Sequence, residues 1–217
     1  MRETLPSSTI ELLSNLPSDS PVTLLLRHSI RTPLAADDVG YELPITEAGQ
    51  RIAIEFGATL GSKLKSLHSS PLARCKQTAE AIKTGSSTNT PIKLSNMLGD
   101  PGPYVIDGEA AWSSFKKLGN KGVIHYLSNN DEPLPGMAAP AQATATLIEY
   151  CFEISEGAPG VHVLVTHDSI LATALSRIFS INGSSDELCP LFMEAVFFYH
   201  HSNGRRAAYR SFKVNLT

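Results

Sequence analysis

Two short apolar runs, residues 22–26 and 161–166, stand out from an otherwise mixed pattern of hydrophobic and polar positions. Both runs are rich in Val and Leu, which predicts strands that are buried on both faces of a sheet. The first run is followed by Arg27 and His28, and the second by His167 and Asp168. The pattern therefore predicts two core strands that carry ionisable side chains at their carboxyl ends.

The rest of the chain alternates between helical and strand-like patterns. Weaker strand patterns cover 64–69 and 91–94, and 195–200 with 207–214 predicts an antiparallel pair at the sheet edge. Helical periodicity with one apolar face covers 8–16, 46–60, 70–83, 141–153 and 169–179. Strands that alternate with helices pack in parallel through right-handed crossovers. The sequence thus predicts the α/β class: a three-layer, doubly wound, mostly parallel sheet with helices on both faces.

Capping signals predict where two of these helices begin. Thr46 is a preferred N-cap residue for the helix that follows it. Ser70 and Pro71 predict an N-cap and a first helical residue for the next helix. Arg74 then falls in the first turn of that helix, where backbone N–H groups favour bound anions.

The segment from about 95 to 140 breaks the alternation. It is punctuated by Gly, Pro and Asn, with short helical patterns at 110–118 and 123–127. We interpret it as a lid-like insertion that caps a pocket. A length of 217 residues with 42% hydrophobic content fits a single domain over 1–217 that contains this one insertion.

Three strand–helix junctions contain the candidate chemistry. Their ionisable residues are Arg27, His28 and Arg31 at the first, Arg74 at the second, and His167 and Asp168 at the third. Because the carboxyl ends of parallel strands meet at one edge of a sheet, we expect these side chains to converge. One arginine alone would indicate a solvated basic turn, but the whole set predicts an anion-binding site.

Charge and cysteine content limit the classes of partner. The net charge is −3 and the pI is near 6.2. Proteins that bind nucleic acids or membrane surfaces need a basic face. The three cysteines lack metal-ligand or CxxC spacing, which indicates reduced core thiols. No signal peptide or membrane-spanning run is visible. We therefore expect a cytoplasmic protein that binds neither nucleic acid nor membranes; its oligomeric state stays open.

Three motifs in this chain resemble the histidine phosphatases, which include the phosphoglycerate mutase-like enzymes and the histidine acid phosphatases. The motifs are LLLRHSIRTP at 24–33, SSPLARCKQTAEAI at 69–82 and VTHDSIL at 165–171, in the family's order. An RH doublet alone is a weak signal, but the three together are specific and, with the helices between them, cover most of the chain except the insertion. The resemblance implies a phosphohistidine mechanism in which His28 is phosphorylated. It also implies that Arg27, Arg74 and His167 hold the phosphoryl oxygens.

The general acid is less clearly implied by the resemblance. We count Arg31 among the phosphate-binding residues. Arg31 and the His167–Asp168 pair resemble the acid phosphatase branch, in which the aspartate protonates the leaving group. This makes Asp168 the first candidate. The middle motif and the modest length resemble the mutase branch, whose acid is a glutamate after the third strand; there this chain offers Asp100 and, further on, Glu109. Ser29 stands where the family usually has glycine, which affects how closely the backbone approaches the phosphate.

The residue types fit this chemistry. A phosphoryl group in transfer spreads negative charge over its oxygens, and guanidinium groups bind such oxygens as a planar fork. A neutral imidazole that is held in one tautomer is a competent nucleophile. The sequence has no DxD pair and no His/carboxylate cluster with ligand spacing. We therefore expect no metal and no other cofactor.

The sequence thus predicts a phosphomonoester hydrolase, with a phosphorylated small molecule as its substrate. A phosphomutase or phosphotransferase of the same fold is one alternative; it would need further cations, for which the insertion offers Lys116, Lys117 and Lys121. A catalytically idle module that binds phosphorylated ligands is the other. The intact set of site residues argues against that module, because a pure binding site has no use for a nucleophile. The substrate's identity stays open, because the insertion's loops have no readable code.

Overall fold

The computed structural model describes residues 4–15, 20–33, 40–181, 189–201 and 204–216, which form alternating strands and helices. The strands are β1 (Pro21–Arg27), β2 (Leu64–Ser69), β3 (Ile92–Leu94), β4 (Gly160–Thr166), β5 (Ala195–His201), β6 (Gly204–Tyr209) and β7 (Phe212–Leu216). The α-helices are α1 (Ser7–Ser14), α2 (Glu47–Leu60), α3 (Ala73–Ser86), α4 (Gly108–Asn129), α5 (Pro140–Ser155) and α6 (Asp168–Phe179).

One mixed sheet contains all of these strands, in the order β3-β2-β4-β1-β5-β6-β7. The first four strands are parallel, so that β1, β2 and β4 end at the same edge. The last three continue the sheet as an antiparallel meander that starts beside β1. The predicted α/β class, with a mostly parallel core and helices, is confirmed.

The central strand β1 shows how helices cover both faces of the sheet. Leu24 and Leu26 belong to a core that includes residues of α2 and α3, and Leu25 belongs to a second core with residues of α4, α5 and α6. All three leucines are fully buried. A strand with a core on each face needs a continuous apolar run, which explains the pattern seen in the sequence.

The strand predicted at 195–200 lies in the interior of the sheet and not at its edge. Here β5 pairs directly with β1, and the segment 207–214 contributes to two strands, β6 and β7, that meet at a turn. The physical reason is the burial of β5, whose first five residues are all buried. A strand of this kind needs neighbours on both sides and cover on both faces.

The N-termini of α2 and α3 give one correct and one wrong capping prediction. Thr46 caps α2, because its side chain accepts a hydrogen bond from a backbone N–H of the first turn. Helix α3 begins at Ala73, later than predicted, and the Ser70 hydroxyl lies 2.8 Å from His167 Nε2. A tertiary contact has thus replaced the cap. Arg74 still lies in the first turn of α3.

The segment predicted as an insertion contains one long helix. The two helical patterns at 110–118 and 123–127 both lie in α4, which is kinked at Gly119. The capping role of this segment stays a prediction. The sequence also predicts loops at 32–44 and 182–190, and these lie partly outside the described residues. Among the helices that the structure describes, none combines the length and apolar character needed to cross a membrane.

Helices α2 and α3 approach each other closely through glycines. A Cβ atom at Gly57 would lie 2.1 Å from the carbonyl oxygen of Ile82, and one at Gly85 would lie 1.9 Å from that of Ile54. Backbone atoms at such distances would have to move apart. The two glycines therefore set the position of α3, and with it the position of Arg74.

We expect Gly85→Ala to lower the free energy of unfolding by about 2 kcal/mol. Alanine gains up to about 1 kcal/mol in helix propensity, but overpacking against backbone costs about 1–3 kcal/mol or more. Urea unfolding measures the difference. Gly108→Ala is the control, because a Cβ there meets no atom within 4 Å, and it should not lower stability. Equal stability of Gly85→Ala and the wild type would contradict the close packing of α2 on α3.

Candidate active site

The three predicted junctions meet at the carboxyl edge of the parallel strands. The ring centroids of His28 and His167 lie 5.7 Å apart. Arg74 Nη2 lies 3.1 Å from His167 Nδ1, and Arg27 Nη2 lies 3.0 Å from Asp168 Oδ2. The structure therefore places these five side chains in one cluster.

Strand pairing positions the backbone under this cluster. Arg27 is in register with Thr166 in the parallel pair of β1 and β4. The backbone N–H of His28 donates to the Thr166 carbonyl at 2.9 Å, and that of Ser70 donates to the Val165 carbonyl at 3.0 Å. The ends of β1 and β2 are thus both bound to the last residues of β4.

His28 has one nitrogen bound and one free. Its Nδ1 lies 2.8 Å from the Ser29 carbonyl oxygen, which can only accept, so Nδ1 carries the proton and Nε2 keeps its lone pair. Nε2 has no hydrogen-bond partner among the described residues. Burial of the ring, and then the nearby charges of Arg27 and Arg74, lower the pKa of His28 well below its ordinary value. The ring is therefore a neutral imidazole with an available lone pair.

Ser29 occupies the position where the family usually has glycine. It connects the end of β1 to helices α2 and α3 by hydrogen bonds. Its hydroxyl donates to the Gly49 carbonyl in α2 at 2.7 Å, and its backbone N–H donates to Thr78 Oγ1 in α3 at 3.0 Å. The residue is fully buried. Its side chain thus contributes a structural contact next to His28.

His167 adopts the opposite tautomer. The Arg74 guanidinium can only donate, so His167 Nδ1 accepts and the ring proton lies on Nε2, which is 2.8 Å from Ser70 Oγ. Burial and then the charge of Arg74 lower the pKa of His167 to about 3. Gly99 lies against this ring, because a Cβ there would be 2.5 Å from Nε2. His167 is therefore a neutral N–H donor beside His28.

Unpartnered polar atoms of the described residues are concentrated in this cluster and in Arg31, whose charge acts on Asp168. The Nε atoms of Arg27, Arg31 and Arg74 are buried without a hydrogen-bond partner among the described residues, as is His28 Nε2. They make up four of the six such side-chain atoms in the described part of the chain. Unpaired buried polar groups are rare because they are costly. An anion would satisfy the three arginine Nε–H donors, and His28 Nε2 keeps its lone pair.

Asp168 forms an ion pair inside the cluster. Its Oδ2 pairs with Arg27, its Oδ1 accepts from the Ser169 N–H, and its side chain is 18% exposed. Burial by itself would raise the pKa of the Asp168 carboxyl, but the positive charges of Arg27 and Arg31 outweigh burial and lower it. The carboxyl group is therefore ionised in this arrangement.

The other two candidate acids lie in different surroundings. Asp100 directly follows Gly99, which lies against His167, and it accepts a hydrogen bond from the Tyr41 hydroxyl. Glu109 is exposed in the first turn of α4. Asp100 is thus the chain neighbour of a residue that lies against the cluster, and no described contact links Glu109 to the cluster.

Sequence reasoning missed the segment 189–194, which precedes β5. The Pro190 carbonyl accepts a hydrogen bond from Arg27 Nη1, and the Phe192 ring centroid lies 4.0 Å from Arg27 Cζ. Cys189, predicted as a core thiol, is half-buried with its Sγ 3.9 Å from Arg27 Nη1. No motif marks this segment, because its contacts depend on the pairing of β5 with β1. Among the described residues, no group of three metal-ligating side chains could hold a metal ion.

Comparison with known protein families identifies the group to which this chain belongs. The family model of the histidine phosphatase superfamily (branch 1) matches residues 24–196. The chain is a member of the histidine phosphatase superfamily. The matched region contains all three motifs and runs from β1 into β5. No curated protein shows significant similarity to this member of the superfamily.

Solved structures share the fold at low sequence identity. The mycobacterial glucosyl-3-phosphoglycerate phosphatase complexed with VO3 has a TM-score of 0.53 at 16% identity, covering 88% of this chain and 98% of its own. A mutant phosphoserine phosphatase from Entamoeba histolytica in complex with phosphoserine has a TM-score of 0.57 at 13% identity, with coverages of 88% and 96%. Phosphoglycerate mutase from Bacillus anthracis has a TM-score of 0.57 at 14% identity, with coverages of 88% and 94%. These similarities show the fold.

We expect this superfamily member to lose stability as the pH falls below about 6.5, where free imidazole titrates. The folded-state pKa values of His28 and His167 are lowered, so the unfolded chain binds protons at a higher pH than the folded protein. The contribution of each ring is complete above about pH 6.5 and is lost between that pH and its folded-state pKa, which is about 3 for His167.

Urea unfolding at a series of pH values between about 7 and about 4.5 measures this effect. In His167→Asn the slope of unfolding free energy against pH should be shallower by about 1.4 kcal/mol per pH unit. A slope equal to that of the wild type would show that His167 is already charged in the folded protein.

Proposed function

We propose that the protein hydrolyses phosphate monoesters through a phosphohistidine on His28, without a metal ion. The observation that carries this proposal is the combination of a buried neutral imidazole, whose Nε2 is unpartnered among the described residues, with unpartnered arginine donors. A module that only binds anions needs the donors but not the lone pair. Membership of the superfamily supports phosphoryl transfer, since phosphatases and a mutase share the fold.

The proposed reaction has two steps. In the first, the lone pair of His28 Nε2 attacks phosphorus, the ester P–O bond breaks, and the leaving oxygen takes a proton from a carboxylic acid. In the second, water attacks the phosphohistidine and its proton returns to the carboxylate. The P–N bond breaks, and the neutral imidazole and inorganic phosphate are released. The bond from Nδ1 to the Ser29 carbonyl keeps the ring in the reactive tautomer throughout.

The remaining residues supply charge and donors to the phosphoryl group. Within the described part of the chain, Arg27 and Arg74 offer Nε–H groups without a hydrogen-bond partner, and Arg31 offers a third. The His167 Nε2 proton can turn from Ser70 to a phosphoryl oxygen, because a serine hydroxyl is a weaker acceptor than an anion. Guanidinium groups neutralise the charge of the transferring group, which is the role that metal ions have in other phosphoryl-transfer enzymes.

Asp168 is the proposed general acid, with Asp100 as the alternative. In the described arrangement Asp168 is ionised because it pairs with Arg27. A phosphoryl oxygen that binds Arg27 competes for the same guanidinium, and the dianion also repels the carboxylate. Both effects raise the affinity of Asp168 for a proton, and the protonated form is the one that the first step requires.

We further propose a phosphorylated small molecule as the substrate and the cytoplasm as the location, with neither nucleic acid nor membrane as a partner. The acidic net charge of −3 supports this, because it supplies no basic face for such surfaces. Hydrolysis is preferred to mutase activity because Lys116, Lys117 and Lys121, the further cations that a mutase would need, are exposed on α4 and not buried with the cluster.

We expect rapid acid-free quenching with ³²P-labelled substrate to trap a phosphoryl group that is acid-labile and base-stable, as a P–N bond should be. The label should be absent in His28→Ala, which has no nucleophilic nitrogen. The experiment is run in excess EDTA, so that it also tests whether a divalent metal is required. Label on serine or aspartate, or activity that EDTA abolishes and a divalent ion restores, would contradict the proposal.

We expect Asp168→Asn to slow hydrolysis of an alkyl phosphate by about 10²–10⁴-fold, and hydrolysis of an activated aryl phosphate far less. An alkoxide must gain a proton as it leaves, whereas a phenolate can leave unprotonated. Steady-state kcat/KM with both substrates measures the difference. Arg74→Gln is the comparison, because it acts on the phosphoryl group common to both substrates and should slow both alike.

The same pair of substrates distinguishes the two aspartates. If Asp168→Asn slows both substrates equally and Asp100→Asn shows the dependence on the leaving group, then Asp100 is the acid. Asp168 would in that case serve to orient Arg27.

A further inference from the structure

Glu194 is a buried carboxylate with an unusually complete set of hydrogen bonds. It is 1% exposed. Its two oxygens accept from Ser8 Oγ, Leu191 N, Tyr209 Oη, Arg210 Nε and Arg210 Nη2, at distances of 2.7–3.0 Å. Burial would raise the pKa of Glu194, but the bonds from Arg210 and Leu191 outweigh it and lower the pKa. The carboxylate is thus ionised and held from several directions.

These bonds fix a short turn. The Glu194 side chain accepts from the Leu191 N–H at 2.8 Å, and the Glu194 N–H donates to the Leu191 carbonyl at 3.1 Å. Helix α1 adds a further bond, from Thr9 Oγ1 to the Met193 carbonyl at 3.2 Å. Met193 itself has a positive φ of 61°, which a non-glycine residue rarely adopts without support. The turn 191–194 is therefore held by side chains from two other parts of the chain, α1 and the end of β6.

The same turn holds Arg27. The Arg27 N–H donates to the Glu194 carbonyl at 3.0 Å, and the Met193 N–H donates to the Arg27 carbonyl at 3.3 Å. Arg27 Nη1 donates to the Pro190 carbonyl, and the Phe192 ring lies 4.0 Å from Arg27 Cζ. Both the backbone and the guanidinium of Arg27 are thus positioned by five consecutive residues, 190–194.

We propose that Glu194 is a positioning residue for phosphoryl transfer: by fixing this turn it sets the orientation of the Arg27 guanidinium. With Nη1 bound to Pro190 and Nη2 paired with Asp168, Nε is the Arg27 donor that has no partner among the described residues and can meet a phosphoryl oxygen. A long arginine side chain has many rotamers, so this edge is available only if something removes that freedom. This inference rests on the proposed function of the same site.

The chain offers a matched control for variants of this network. Arg205 Nη1 contacts both oxygens of Glu149, at 2.6 and 2.8 Å, in an exposed ion pair between α5 and β6. Glu149→Gln and Arg205→Gln make the same chemical changes as Glu194→Gln and Arg210→Gln, but without any described contact to Arg27. Arg210 is 37% exposed, so Arg210→Gln tests the network with less risk to folding than a change of the buried carboxylate.

We expect Arg210→Gln and Glu194→Gln to lower kcat/KM for an aryl phosphate by about 10–100-fold, the size of effect that misplacement by about 1 Å can produce. Their affinity for orthovanadate, measured by calorimetry on the full chain, should fall in the same direction. The control variants should match the wild type in both measurements. All assays are made well below the melting temperature of each variant, so that loss of stability alone changes neither result.

A double-mutant cycle shows whether the effect passes through Arg27. In an Arg27→Gln background, adding Arg210→Gln should lower vanadate affinity little further, because the group that is positioned has gone. Independent, additive losses would overturn the proposal, as would wild-type kcat/KM and vanadate affinity in Arg210→Gln.

Failure of the proposed function gives a different result. If the wild type hydrolyses no phosphate monoester but binds vanadate, and only the network variants weaken that binding, the positioning role is supported and the hydrolase proposal is not. If the wild type neither turns over substrate nor binds vanadate, both proposals are overturned.

Discussion

The parallel pairing of β1 with β4 is the constraint on which the site depends. It sets Arg27 beside Thr166 and lets the His28 backbone bind the end of β4. The two histidines then follow the ends of adjacent strands, so their rings lie 5.7 Å apart although they are distant in sequence. Pairing of β2 on the other side of β4 brings in α3 and Arg74. Hydrogen bonds of the sheet thus fix a group of side chains that would otherwise repel one another.

That repulsion shapes the chemistry of the cluster. Among the described residues, the guanidinium groups of Arg27, Arg31 and Arg74 all act on the Asp168 carboxylate, so the arginines outnumber it in this cluster. Burial and these charges together keep His28 and His167 neutral, since a protonated ring would add to the excess. The same conditions favour a phosphate dianion, which supplies the missing negative charge. The excess of positive charge therefore explains both the electrostatic cost of assembling the cluster and its suitability for phosphoryl transfer.

The antiparallel half of the sheet supports the parallel half. Strand β5 pairs with β1 on the side away from β4, and the turn before it packs on Arg27. Glu194 joins that turn to α1 and to the end of β6. Arg27 is consequently held between Asp168 on one side and the turn on the other. A guanidinium with two fixed sides has one edge left for a ligand, which is how a flexible side chain acquires a definite orientation.

The sequence by itself determined the α/β class, the apolar core strands, the three motifs and the family, because each depends on local pattern or on residues close in the chain. The sequence also predicted that the three motifs converge, because parallel strands end at one edge of the sheet. Only the tertiary structure decided that β5 lies beside β1, that Ser70 contacts His167 instead of capping α3, and that Glu194 and Phe192 belong with Arg27. A period-two pattern shows which faces of a strand are buried but not which strand lies next to it. The tautomers of the two histidines were likewise beyond the sequence, because each is set by a hydrogen bond whose geometry exists only in the folded chain.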